Sequence, residues 1–327
     1  MSDRDANLPP MPAQSEGLII RAQSGFLVVR TDEGDYTCRL RGRLKKERKD
    51  QPEGDIIAVG DRVLISPLAD NTGAIETVLP RHSLFSRKLS GVKYGYQQIL
   101  LANPDQMVFV FACAKPDPHL RMLDRFLVVA ESQKIPALIV ANKVDLVDMT
   151  AARAKFDIYE ELGYELIFTS ARTLTGVAEL RERLIGKLSA FSGPSGVGKS
   201  SLLNAVQPGL GLEVRSVSQT SEKGLHTTQV RALFPLSAGG YVADMPGLRT
   251  MALWDIESEE LDGYFPEMRS LVAQCQFNDC THSHEPGCAV IAAVNAGKVD
   301  AGRYQSYLRL RFEGGIADDP DSDLDAD

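Results

Sequence analysis

One stretch, Gly193-Pro194-Ser195-Gly196-Val197-Gly198-Lys199-Ser200, constrains the fold of this chain more than any other. Its glycines, lysine and serine require a strand that ends in a tight loop and a helix that begins at the lysine, so that main-chain N–H groups converge on a phosphate. The apolar run Leu188 to Phe191 before it and the helical pattern Lys199 to Val206 from it onward meet that demand. Its position is the second constraint. Asn142-Lys143-Val144-Asp145 and Thr169-Ser170-Ala171, which read as base-recognition loops, stand before it, and Asp244-Met245-Pro246-Gly247 stands after it. In the ordinary order the phosphate loop leads, so the sequence predicts a nucleotide-binding sheet whose chain is circularly permuted.

The residue types fit one base. The Asp145 carboxylate can accept from both N1–H and the exocyclic amine of guanine, whereas adenine would leave it unpaired at a cost. Asn142 is placed to brace the loops, the Lys143 stem to lie over the ring beside Val144, and Ser170 and Ala171 to bring a backbone N–H to the guanine oxygen. Lys199 is expected to bridge the β and γ phosphates with Ser201 in the same turn, and Ser200 to supply an oxygen to Mg2+. Asp244 would hold that ion through water, and the Gly247 N–H would sense the γ-phosphate. In Gly224-Leu225-His226-Thr227-Thr228, Thr228 is the expected magnesium ligand and Thr227 its alternative. Position 248 is a leucine where many GTP hydrolases carry a water-orienting glutamine. His226 is the candidate for that role, a partner contact being the other reading. Two rival functions remain: an ATP-using phosphate-loop enzyme, opposed by Asp145, and an RNA-binding module with a structural nucleotide, opposed by the set Ser200, Thr228 and Asp244.

Three of the five cysteines cluster as Cys275-x4-Cys280-x-His282-x5-Cys288. Three thiolates and an imidazole match a closed tetrahedral site for one structural Zn2+, with His284 as the alternative to His282. The odd count and this spacing argue against a disulfide framework. Cys38 and Cys113 lie in apolar, strand-like stretches and read as buried small hydrophobes.

Along the chain, residues 1–16 form a polar, proline-rich tail without a signal-peptide core. Residues 17–80 carry five short strand patterns, Leu18 to Arg21, Phe26 to Arg30, Asp35 to Leu40, Asp61 to Ser66 and Gly73 to Val78, which suggest a five-stranded OB-fold barrel. Arg39, Arg41, Arg43, Lys45, Lys46, Arg48 and Lys49 concentrate positive charge between two of these strands, as an RNA-contacting loop would. Residues 81–104, with Arg81, His82, Arg87, Lys88 and Lys93, read as a basic linker. Strands and helices alternate over 105–250, predicting a mainly parallel sheet covered on both faces, with a hairpin formed by Val230 to Leu236 and Gly240 to Ala243 at its edge. A helical, zinc-binding module follows over 251–312, then an acidic, solvated tail over 313–327. The net charge is -8, and all but -2 of it comes from the six aspartates at 318, 319, 321, 323, 325 and 327. No apolar run approaches the ~18 residues of a membrane span, which together with the clustered thiols points to the cytoplasm.

A barrel, the base loops, the phosphate loop, Gly224 to Thr228, Asp244 to Gly247 and CQFNDCTHSHEPGC, in that order, resemble the bacterial small ribosomal subunit biogenesis GTPases, the ribosome small subunit-dependent GTPase A family, across Gly17 to Phe312. The resemblance implies an N-terminal OB-fold, a circularly permuted phosphate-loop GTPase domain and a zinc module. It further implies hydrolysis of GTP to GDP and phosphate by a monomer that binds the 30S subunit and 16S rRNA. There it would act as a late maturation checkpoint, be stimulated by the subunit, and leave on hydrolysis. It carries the zinc ligands onto Cys275, Cys280, His282 and Cys288 and a catalytic histidine onto His226, with Leu225 departing from the basic residue often found before that histidine. Because Asp244 to Gly247 lead almost directly into the zinc module, the permutation predicts that nucleotide state repositions that module.

Overall fold

The computed structural model describes residues 14–23, 25–42, 44, 56–88, 97–210, 232–245 and 256–312. Strands β1 (Ser15–Gln23), β2 (Phe26–Thr31), β3 (Gly34–Leu40), β4 (Arg62–Pro67) and β5 (Thr72–Val78) close a barrel in the order β1-β2-β3-β5-β4, with β3 and β5 parallel. This is the OB-fold expected from the strand spacing. Ile19, Leu27, Val29, Cys38, Val63, Ile65 and Ile75 fill it. A Cβ on Gly73 would lie 2.9 Å from the Cys38 sulfur, so the glycine makes room for that thiol, which burial pushes up to about 11.

Where the sequence reads as a basic linker, β6 (Leu84–Lys88) and β7 (Gln97–Ala102) pair as an antiparallel hairpin. Its cations drew the reading away from Phe85 and the run Ile99 to Ala102, all of which are buried.

The central sheet runs β10-β9-β8-β11-β13-β12, from β8 (Gln106–Ala112), β9 (Ala137–Asn142), β10 (Glu165–Phe168), β11 (Leu188–Ser192), β12 (Phe234–Pro235) and β13 (Tyr241–Asp244). Only β12 is antiparallel. The edge hairpin is present, though its first strand is reduced to two residues. Alternation along β8 builds two cores. Met107, Phe109 and Phe111 join α1 (Leu120–Ser132) and α2 (Met149–Glu161) through Leu123, Phe126, Phe156 and Tyr159. Val108, Val110 and Ala112 join α3 (Val177–Leu184) and α4 (Lys199–Val206) through Leu180, Leu184, Leu202 and Leu203 on the other face. The chain winds outward from β8 to β10 and resumes at β11 on the other side of β8, so the carboxyl ends of β8 and β11 form the switch point at which open sheets bind ligands.

The last module comprises a 3-10 turn (Ser258–Tyr264), α5 (Pro266–Val272), α6 (Ala289–Asn295) and α7 (Ala301–Phe312). Leu261, Phe265, Met268, Val290, Tyr304 and Tyr307 form its core, together with Val128 of α1.

Candidate functional site

β11 delivers Gly193 at φ +148°, where a Cβ would stand 2.1 Å from the Val110 carbonyl oxygen; only glycine lets the loop leave the sheet this close to β8. The loop ends at Gly198, φ +93°, and a Cβ there would meet the Asn142 amide nitrogen at 2.7 Å. α4 therefore starts at Lys199 directly after the loop, and a helix N-terminus in that place is suited to phosphate. Ser200 and Ser201 occupy its first turn, and the Lys199 ammonium donates to the carbonyls of Gly193 (2.7 Å) and Pro194 (2.8 Å).

Asn142, at the end of β9, ties three loops together. Its amide nitrogen donates to the Val197 carbonyl at 2.8 Å, and its amide oxygen accepts from the Thr169 hydroxyl at 3.0 Å. Lys143 takes the left-handed conformation, φ +64°, and its ammonium donates to Gly196 O at 2.6 Å and to Lys115 O. Burial lowers the Lys143 pKa, partly offset by Asp145. Val144 is buried beneath this turn, its N–H donating to Thr169 O. Asp145 accepts from the Ser170 hydroxyl at 2.5 Å and from Arg172 Nε at 2.8 Å, and these partners, Ser170 first, hold its carboxyl below the usual range. It stays ionised, as a guanine acceptor must. The Ser170 N–H is spent on Thr175 O, so that amide is not the one offered to a base oxygen.

Asp244 ends β13 beside Phe191 of β11. Its Oδ1 is buried without a hydrogen-bond partner among the described residues, and burial raises its pKa against the opposing charge of Lys199. A buried, orphaned carboxylate oxygen next to the phosphate loop fits a hydrated cation, and Mg2+ is the ion such a donor set accepts with a nucleotide. His226, Thr227, Thr228 and Gly247 lie outside the described residues, as do Arg43, Lys45, Lys46, Arg48, Lys49 and the tail after Phe312. Of the barrel cations, Arg41 is paired with Glu76 at 2.7 Å, while the Arg39 guanidinium stacks on the exposed Phe26 ring, 4.4 Å from its centroid.

The structure gathers Cys275, Cys280, His282 and Cys288 so that their ligand atoms all lie within 4.8 Å of one another. The His282 Nδ1 is 3.5 Å from the Cys275 sulfur and 3.4 Å from that of Cys288, and the two sulfurs are 4.0 Å apart. Tetrahedral Zn–S and Zn–N bonds imply edges of about 3.5 to 3.8 Å. The group can therefore hold a metal ion of that kind. His282 Nε2 faces Asp262 at 3.0 Å, which orients Nδ1 toward the thiols, as outer carboxylates do for metal-bound imidazoles. His284 is exposed and bonded to the Ser283 hydroxyl, so geometry selects His282. The Tyr304 and Tyr307 hydroxyls bind the carbonyls of His282 and Thr281, and Glu285 accepts from the amides of Thr281, Ser283 and His284.

Sequence reasoning missed Arg172, Asp262 and the role of Thr169. Thr169 and Arg172 flank the Ser170-Ala171 motif and could have been weighed there; nothing in the sequence points from Asp262 to a histidine twenty residues on.

Comparison with known proteins agrees with this geometry. The family model for the RsgA GTPase matches residues 78–254, and that for the RsgA N-terminal domain matches residues 16–75. A small ribosomal subunit biogenesis GTPase RsgA from Gemmatimonas aurantiaca is 46% identical over 93% of this chain and 98% of its own length. One from Moorella thermoacetica is 42% identical over 91% and 97%. The crystal structure of YjeQ from Thermotoga maritima superposes with a TM-score of 0.76 at 36% identity, covering 92% of this chain and 98% of that one. YloQ, a circularly permuted GTPase, superposes with a TM-score of 0.71 at 30% identity over 94% and 97%. Permuted motif order, phosphate loop and family match converge: this chain is a GTP hydrolase belonging to the RsgA GTPase family.

Proposed function

We propose that the chain hydrolyses GTP as a late checkpoint in small ribosomal subunit assembly, binding the 30S particle and its 16S rRNA in the GTP state and leaving after hydrolysis. The observation that carries this reading is the near full-length match to relatives named for small-subunit biogenesis, which takes in barrel, GTPase domain and metal module together. The Phe26–Arg39 stack supports an RNA contact, since an exposed ring backed by a guanidinium offers a platform for an unpaired base. The protein acts as a monomer in the cytoplasm; no helix among the described residues is long and apolar enough to cross a membrane.

At the site, Asp145 selects guanine while Lys199 and the loop amides hold the β and γ phosphates. Ser200, Thr228 and Asp244 would hold Mg2+, which would supply positive charge to the phosphate oxygens of the bound nucleotide. Gly247 senses the γ-phosphate, and His226 orients the attacking water in place of the missing glutamine. Cys275, Cys280, His282 and Cys288 would hold Zn2+ with four protein ligands, and an ion held so would be structural.

The test is GTP turnover titrated with mature 30S, 50S and 70S particles. Stimulation by 30S, lost in His226→Ala with GTP affinity kept, is the expected result. Equal rates with and without 30S would refute the partner.

A further inference from the structure

The barrel and the metal module contact different elements of the GTPase domain. The metal module lies on α1, where Arg303 donates to Asp124 at 2.7 Å and Val128 enters the module's core. α1 connects β8 to β9, which carries the base loop. The barrel contacts the strip that leads into β12. The Leu233 N–H donates to the Ile20 carbonyl at 2.8 Å, and Arg21 of β1 bridges Ala232 antiparallel.

The side chains of this hairpin divide accordingly. Ile19, Leu27 and Val29 fill the barrel, whereas Ile20, with Leu18 and Val28 packed beside it, belongs to the core that contains Leu233, Ala243 and Met245. Those three residues bracket Asp244 and the strip leading to it. β13 is paired with β11 along its four residues, whereas β12 has only two residues on its outer side, and there β1 adds to what holds the strip.

We propose that β1 is a positioning element for hydrolysis: by holding residues 232–245 it sets Asp244, so that a change at the Asp244 loop is felt in the barrel and a ligand on the barrel is felt at Asp244. Coupling of this kind is reciprocal. The metal module, joined to the Asp244 loop along the chain, is held instead by the base side of the sheet. The inference rests on GTP hydrolysis at this site and on no ribosomal partner.

The experiment is amide hydrogen exchange on the full chain, loaded with GDP or with a non-hydrolysable GTP analogue and magnesium, without ribosomal particles. Peptides over 17–23 and 232–245 should differ between the two states by about fivefold or more in exchange rate, and those over 120–132 and 301–312 should not. A change confined to the second set, or none in the first, overturns the proposal. As a second measurement, Leu233→Ala and Ile20→Ala should each lower kcat with KM for GTP held within about twofold, because the guanine and phosphate contacts are untouched. A rise in KM with kcat unchanged would count against positioning. Failure of 30S stimulation would leave these results standing, and their failure would leave the ribosomal reading standing.

Discussion

Asp244 is held in a state that costs the nucleotide-free fold stability. Its Oδ1 is buried and unpartnered among the described residues, and burial raises its pKa with Lys199 as the opposing charge. Between the ordinary carboxyl range and that raised value, the folded state keeps a proton that the unfolded state has lost. Stability of the nucleotide-free protein therefore falls as pH rises through this window. Asp244→Asn should remove that dependence and stabilise the nucleotide-free chain at pH 7 by about 1 kcal/mol, while abolishing magnesium-dependent turnover. Urea denaturation at pH 5 and 7 beside a GTPase assay checks both halves; an equally destabilised variant would show that the carboxylate is satisfied. The residues that chemistry fixes at a set spacing, Asn142, Asp145, Lys199 and Asp244, are legible in the sequence because no other side chain does their work. Arg172 on Asp145 and Asp262 on His282 are not, because each acts through a contact that any of several positions could supply.

At the scale of elements, the packing of α1 on α7 depends on charge buried where an amphipathic reading would place solvent. Asp124 and Arg303 are each 2% exposed. Asp124 accepts from Arg303, from the Tyr159 hydroxyl at 2.8 Å and from Ser306, while Arg303 also donates to Glu267 at 2.8 and 3.2 Å. The Arg303 guanidinium lies 4.7 Å from the Phe265 ring centroid. Burial pushes the Asp124 carboxyl up, and the neighbouring guanidinium opposes it. Arg303→Met leaves two buried carboxylates without their cation and should cost roughly 3 to 5 kcal/mol in chemical denaturation. A loss below about 1 kcal/mol would mean that water replaces the arginine. Nothing in the sequence pattern points to this bond, which links positions 179 residues apart. The β6–β7 hairpin was missed for the opposite reason: its cations are conspicuous, and its burial depends on a neighbouring domain.

For the whole molecule, the distribution of apolar cores predicts which parts unfold together. One core runs without a break from Ile20 and Val59 in the barrel segment, through Phe85, Leu100 and Leu101 of the hairpin, into Met107, Phe126 and Phe156 of the GTPase domain. Polar contacts reinforce that junction. Buried Asp61 is bound by Arg81 at 2.6 and 2.8 Å, the Ala102 N–H donates to Val59 O, and a Cβ on Gly60, φ +90°, would collide with the Ala102 carbonyl at 2.1 Å. The metal module instead has a separate core, which contains two of its own candidate ligands, Cys280 and Cys288, and among the described residues takes only Val128 from the GTPase domain. Such a core should depend on its ion, since metal binding to sites of this kind carries about 10 kcal/mol or more of folding free energy. Calorimetry of the metal-loaded chain should give one transition. After chelation a second should separate below it, losing the near-ultraviolet signal of Tyr304 and Tyr307, while the barrel and GTPase domain still melt together. A barrel transition distinct from that of the sheet would show that the shared core does not couple them, and would remove the physical basis for positioning Asp244 from β1.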